Sequence, residues 1–175
     1  TRQESLFSRT AASPAGARGL MQLMPATASL VSRRLRLSYA KNKLTQAAYN
    51  VNLGSTYLAD MIQKHDGSYI LALAAYNAGP TNVRRWLQAN GDPRHDSQVD
   101  LVDWIEKIPI PETRNYVQRV LEGVQVYRWQ LGVNVSATSI EHDLARGISA
   151  PVLASRCNAD DAGAAIAVVD IAAHC

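Results

Sequence analysis

The chain has 175 residues, 47% of them hydrophobic, which is enough to bury one good core, and its length favours a single domain. Its 18 basic and 15 acidic residues give a formal charge of +3 and a pI near 9.0, too small an imbalance to argue for nucleic acid but compatible with approach to an anionic polymer. No apolar run reaches the ~18 residues that a membrane-spanning helix needs, so no transmembrane segment is expected.

Along the chain the patterns are helical. The first stretch, Thr1-Arg2-Gln3-Glu4-Ser5, places one carboxylate in a polar cluster, and no other Asp or Glu follows until Asp60. Two glycines and a proline punctuate Ser13 to Pro25, the best place for any small sheet. The basic group Arg33, Arg34 and Arg36 marks a solvated helix face. From Asn50 the positions Gly54, Tyr57, Leu58, Met61 and Ile62 form an amphipathic stripe that Asp66-Gly67 ends. Ser68 to Ala78 is almost wholly apolar and reads as a buried helix closed by Gly79-Pro80. Thr81 is expected to cap the next helix, which carries Val83, Trp86 and Leu87 and stops at Asn90-Gly91.

After a polar loop (Asp92 to Gln98) comes a short helix broken by Pro109 and Pro111. A longer one then runs from Glu112 to about Gly132, with Val117, Val120, Leu121, Val124 and Leu131 at helical spacing. No run of period-two alternation competes with these helices. From Val133 to Cys175 the pattern weakens. One short helix is expected over Ser139 to Gly147, followed by small residues and an Ala-rich end that should pack loosely.

The histidines (His65, His95, His142, His174) never fall three or four apart, and Cys157 and Cys175 have no metal-ligand spacing. Neither a metal site nor a cofactor is expected.

Four punctuated stretches carry polar or sulfur side chains where the pattern asks for plain apolar ones. They are RQES (Arg2 to Ser5), SPAGARGLMQLMP (Ser13 to Pro25), AAYNAGP (Ala74 to Pro80) and IPIPETRNYV (Ile108 to Val117). Each has an ordinary structural explanation. Glu4 can be a solvated helix-face residue, Gln22 can cap a turn, and Tyr76 and Asn77 can bond a helix end. Glu112 at a helix N-terminus is favoured by the macrodipole whatever else it does. Together they fit a cleft better.

In order and spacing, with Ser13 nine residues after Glu4, these stretches resemble the catalytic domain of the soluble lytic murein transglycosylases, whose fold is similar to goose-type lysozyme. The resemblance covers residues 1 to 132 and implies a mainly α, lysozyme-like domain with at most a very small β region, followed by a tail over 133–175. It implies that Glu4 is the one catalytic acid. It also implies that Ser13, Met21, Gln22 and Met24 line the glycan cleft, that Tyr76 and Asn77 form its Tyr-Asn pair, and that Glu112 and Tyr116 stand on the far wall. The partner it implies is the glycan strand of peptidoglycan, and the compartment is the periplasm. Only three residues precede Glu4, so the helix that carries it looks cut, and the parent chain is expected to extend upstream of Thr1.

The gap in acids then acquires a chemical meaning. Glycoside hydrolysis usually uses two carboxylates, yet none lies between Glu4 and Asp60. Substrate assistance removes the need for a second one. On the reading the resemblance implies, the 2-acetamido group of N-acetylmuramic acid would serve as internal nucleophile and Glu4 would act first as acid and then as base, leaving a 1,6-anhydro end. Two rivals remain open: a lysozyme-type hydrolase in which Asp103, Glu106 or Glu112 activates water, and a non-catalytic glycan-binding module.

Overall fold

The computed structural model describes residues 1–133 and 140–154. The chain divides into two compact units, one over Thr1–Asp60 and one from Met61 onward.

The first unit holds α1 (Arg2–Ser5), α2 (Pro25–Arg34), a 3-10 helix over Lys41–Thr45 and most of α3 (Ala47–Lys64). Pro25 stands in the first turn of α2, where its missing N–H costs nothing. The buried face of α2 is small, made of Ala28, Val31 and Ser32. The Ser32 hydroxyl is 2.6 Å from the Ala28 carbonyl and 2.9 Å from the Tyr49 hydroxyl. Arg33, Arg34 and Arg36 are exposed as expected, although Arg36 lies past the helix end. Arg34 pairs with Asp60 at 2.6 Å.

The expected small β region is confined to two isolated bridges, Ala12 with Arg18 and Arg18 with Leu23, and no strand forms among the described residues. The fold is mainly α and lysozyme-like.

In the second unit, α4 (Tyr69–Ala78) is the central element and packs against α7 (Pro111–Gln130), α5 (Pro80–Asn90) and α8 (Ile140–Ala145). Its six residues from Ile70 to Ala75 are all buried, which explains the apolar run in the sequence. Ser68 caps its N-terminus by accepting from the Leu71 N–H. Gly79 closes its C-terminus at φ 86°, a backbone angle that favours glycine. Gly79 is also the N-cap of α5, with Pro80 following, so the expected cap at Thr81 is corrected: Thr81 lies inside the first turn. The short helix α6 (Leu101–Glu106) is capped by Asp100, whose carboxylate accepts from the N–H groups of Val102 (2.8 Å) and Asp103 (2.9 Å). Trp104 is fully buried and donates its indole N–H to the Gly91 carbonyl at 3.1 Å.

The expected short helix in the tail forms as α8. Residues 140–154 pack against the rest of the second unit. Asp143 of α8 is fully buried and accepts two bonds from the Arg128 guanidinium of α7, one of them at 3.0 Å, and another from Gln125 at 2.7 Å. Arg146 stacks over the Tyr69 ring at 4.4 Å, and the Ser149 N–H donates to the Arg94 carbonyl at 2.9 Å. A buried carboxylate needs such partners to remain charged. The remainder of the tail, with Cys157, His174 and Cys175, lies outside the described residues.

His65 is buried at the turn between α3 and α4, and its Nε2 has no hydrogen-bond partner among the described residues. Burial, followed by the Arg94 and Lys64 charges, lowers its pKa from the ordinary 6.5, with Asp66 and Asp92 opposing. The unfolded chain therefore takes up this proton first. The stability that depends on neutral His65 is fully present above 6.5 and is lost as pH falls toward the folded value. Asp92 acts in the same direction but in the acid range. Burial would raise its carboxyl, but hydrogen bonds from Arg94 hold it below the ordinary 3.8. Between about pH 7 and pH 5 the unfolding midpoint should fall more steeply in the wild-type chain than in His65→Gln. Parallel slopes would remove His65 from the account.

Candidate active site

In the first unit the site is a turn and a loop. Glu4 sits half-exposed on α1, a four-residue helix whose N-cap, Thr1, makes no side-chain hydrogen bond. Its neighbour Ser5 donates to the Leu20 carbonyl at 2.9 Å, tying this turn to the loop that runs to Pro25. The loop folds back twice with almost no ladder. The Arg18 and Leu23 backbones exchange two bonds of 3.0 and 3.1 Å, and Gly19 donates to the Ala11 carbonyl at 2.9 Å.

Side chains satisfy the rest of its backbone. The Ser13 hydroxyl accepts from the Ala17 N–H at 3.0 Å. Gln22, held at φ 44°, donates its amide to the carbonyls of Gly19 (2.8 Å) and Ala11 (3.2 Å). With both N–H bonds committed, Gln22 has its amide oxygen left to offer a ligand, and Ser13 has its hydroxyl hydrogen. Met21 is buried against Gly54, where an added Cβ would lie 2.6 Å from its Cβ and Sδ, while Met24 is exposed.

The electrostatics of this unit are simple. Its only acids are Glu4 and Asp60. Asp60 pairs with Arg34 at 2.6 Å at the far end of this stretch of sequence, and no other carboxylate lies between it and Glu4.

In the second unit, Tyr76 and Asn77 occupy the last turn of α4, both half-exposed. Asn77 is fixed through Thr113 of α7, whose hydroxyl donates to its side-chain carbonyl at 2.7 Å. Glu112 is exposed in the first turn of α7, and Tyr116 is buried one turn further on. The structure thus joins the Tyr-Asn stretch to the ETR stretch inside one unit, through a residue that sequence reasoning did not single out. Thr113 is 1% exposed, and its only signal is its place between Glu112 and Arg114. Asn50, also missed, is fully buried on α3 and bonds to the Met21 N–H, and to the Arg18 and Leu44 carbonyls. Of the acids named for a hydrolase, Asp103 and Glu112 are exposed, while Glu106 accepts from Gln118 at 2.6 Å and lies 3.7 Å from Arg114.

A family model described as the transglycosylase SLT domain matches residues 1–99. The soluble lytic murein transglycosylase of Escherichia coli K12 is 38% identical over 133 residues, covering 75% of this chain and 20% of that protein. The putative soluble lytic murein transglycosylase of Haemophilus influenzae is 40% identical over 121 residues, 69% of this chain and 20% of that one. The chain therefore spans about a fifth of the length of these curated relatives. Among solved structures, the 70 kDa soluble lytic transglycosylase of Escherichia coli is 35% identical with a TM-score of 0.69, over 86% of this chain and 22% of that one. An inactive Glu-to-Gln mutant of the lytic transglycosylase Slt from Pseudomonas aeruginosa is 43% identical with a TM-score of 0.68, over 75% and 21%. On the match to more than half its length, the chain belongs to the transglycosylase SLT domain family.

Proposed function

We propose that the chain is the catalytic part of a lytic transglycosylase that cleaves the β-1,4 bond between N-acetylmuramic acid and N-acetylglucosamine in peptidoglycan. The observation that carries the reading is the isolation of Glu4 in the sequence: no other carboxylate lies among residues 5–59. The relatives named as murein transglycosylases support the substrate, and the inactive Glu-to-Gln mutant of a lytic transglycosylase supports an essential glutamate. The periplasm is the compartment in which such a substrate is met.

Glu4 gives its proton to the glycosidic oxygen as the C1–O bond breaks, and the acetamido oxygen of the same sugar bonds to C1 in its place. The C6 hydroxyl then attacks C1, the acetamido bond breaks, and the hydroxyl proton passes to the Glu4 carboxylate. The acid is restored and no water is consumed. General acid and base action by one positioned carboxyl is worth roughly 100- to 10,000-fold in rate. Ser13 and Gln22 in the first unit, and Tyr76 and Asn77 in the second, are the proposed contacts to acetamido and hydroxyl groups, and Met21, Met24, Glu112 and Tyr116 are further proposed substrate contacts. No described helix is long and apolar enough to cross a membrane.

Glu4→Gln keeps the shape and removes the transferable proton. It should abolish cleavage of purified sacculi while glycan binding remains measurable; substantial turnover in this variant would refute the role. Single replacement of Asp103, Glu106 or Glu112 should leave the kind of product unchanged. Thr113→Val deletes the hydroxyl that holds Asn77 but keeps the packing. It should cost about 1 kcal/mol in denaturant unfolding and reduce turnover beyond what that loss explains. Full turnover at reduced stability would leave Asn77 outside substrate binding.

A further inference from the structure

We propose that Asn50 is a positioning residue for Glu4, acting through the Leu20–Met21 peptide and Ser5; the inference rests on Glu4 being the acid. Asn50 is fully buried on α3, and all three of its partners are backbone groups. Its Oδ1 accepts from the Met21 N–H at 2.8 Å, and its Nδ2 donates to the Arg18 carbonyl at 2.9 Å and the Leu44 carbonyl at 3.0 Å. A buried amide is tolerated only when its polar atoms are matched in this way. The amide stands where a neighbouring strand would otherwise satisfy the loop.

The Met21 N–H and the Leu20 carbonyl belong to one planar peptide unit, so fixing one end orients the other. Asn50 holds the N–H end, and Ser5 donates to the carbonyl end at 2.9 Å. The other acceptor near the Ser5 hydroxyl, the Thr1 carbonyl at 3.2 Å, lies within its own turn. A helix of four residues has almost no stability of its own. This bond across to the loop therefore helps to set the direction of the turn that presents Glu4, and Asn50 orients the bond's acceptor.

Neighbouring residues keep the clamp specific. Gly19 adopts φ +78°, and an added Cβ there would overlap the Leu44 carbonyl oxygen and the Asn50 amide, so the space around the amide is full. Aspartate at position 50 would face two carbonyl oxygens with no hydrogen to give, and would add a second acid beside the loop.

The test uses the full chain with kcat and KM measured on purified sacculi, for Asn50→Ala, Ser5→Ala, the double variant, Glu4→Gln and Ser32→Ala. Ser32→Ala removes buried hydrogen bonds on α2 and serves as a stability-matched control. Asn50→Ala should lower kcat roughly 10- to 100-fold with little change in KM, the size expected when a reacting group is displaced by about an ångström. The double variant should be no worse than Asn50→Ala alone, because both changes cut one chain of contacts. Ser32→Ala should lose stability with kcat unchanged. Equal kcat losses in Asn50→Ala and Ser32→Ala, or additive losses in the double variant, would overturn the proposal.

If Asn50→Ala fails to fold, Ser5→Ala replaces it as the decisive variant, since Ser5 is only half-buried. It should shift the Met21 amide resonance and lower kcat together; an unmoved resonance or an undiminished kcat would overturn the clamp. Activity in Glu4→Gln would refute the catalytic reading, whereas loss of activity there with undiminished kcat in the Asn50 or Ser5 variants would refute the clamp alone.

Discussion

The backbone of residues 11–23 has to satisfy its polar groups without a sheet. Two isolated bridges are all the regular pairing it has. Ser5, Ser13, Gln22 and Asn50 supply most of the rest, each by one or two bonds to a main-chain atom. A loop held by side chains is held at chosen points, which leaves other atoms of the same side chains uncommitted. The Gln22 oxygen and the Ser13 hydroxyl hydrogen are of that kind. On the proposed reading, stability and ligand recognition draw on the same few residues, and a core substitution at Asn50 would reach the chemistry.

The second unit solves the same problem by helix packing. α4 is buried along six consecutive residues, so its last turn is rigidly carried, and Tyr76 and Asn77 are placed where that burial ends. Thr113 links this turn to α7 by a 2.7 Å bond between two side chains, a stronger constraint on orientation than packing alone. The far end of α7 is fixed by a different device, the buried Asp143 with Arg128 and Gln125. Removing Arg128 would leave the buried Asp143 without its charged partner, a change that typically costs about 3–5 kcal/mol.

Much of this was legible in the sequence where bulky apolar residues set the period. The stripe ending at Ile62 gave α3, the apolar run gave α4, and the spacing from Val117 to Leu131 gave α7. The helix α2 was legible only as a basic group, because its buried face is Ala28, Val31 and Ser32, too small to stand out. Thr81 drew attention as a cap because its side chain suits the role, but Gly79 and Pro80 fix the backbone first. Docking of α8 was hidden because its anchor is a charged residue whose partner lies on α7, and nothing in a local pattern shows that Asp143 will be buried. At the candidate site the motif residues were named from the resemblance of four stretches. Asn50 and Thr113 were not, since a polar side chain that bonds backbone or another side chain looks like any surface residue until the fold is known.

The proposed chemistry turns on a single carboxyl acting twice, with no water entering the reaction. That claim is read most directly in the mass of the muropeptides released from purified murein by the wild-type protein. Products one water lighter than those of a hydrolase, without reducing ends, are predicted, because the C6 hydroxyl closes onto C1 in place of water. Reducing ends as the main product would contradict the account and return a second carboxylate to the mechanism.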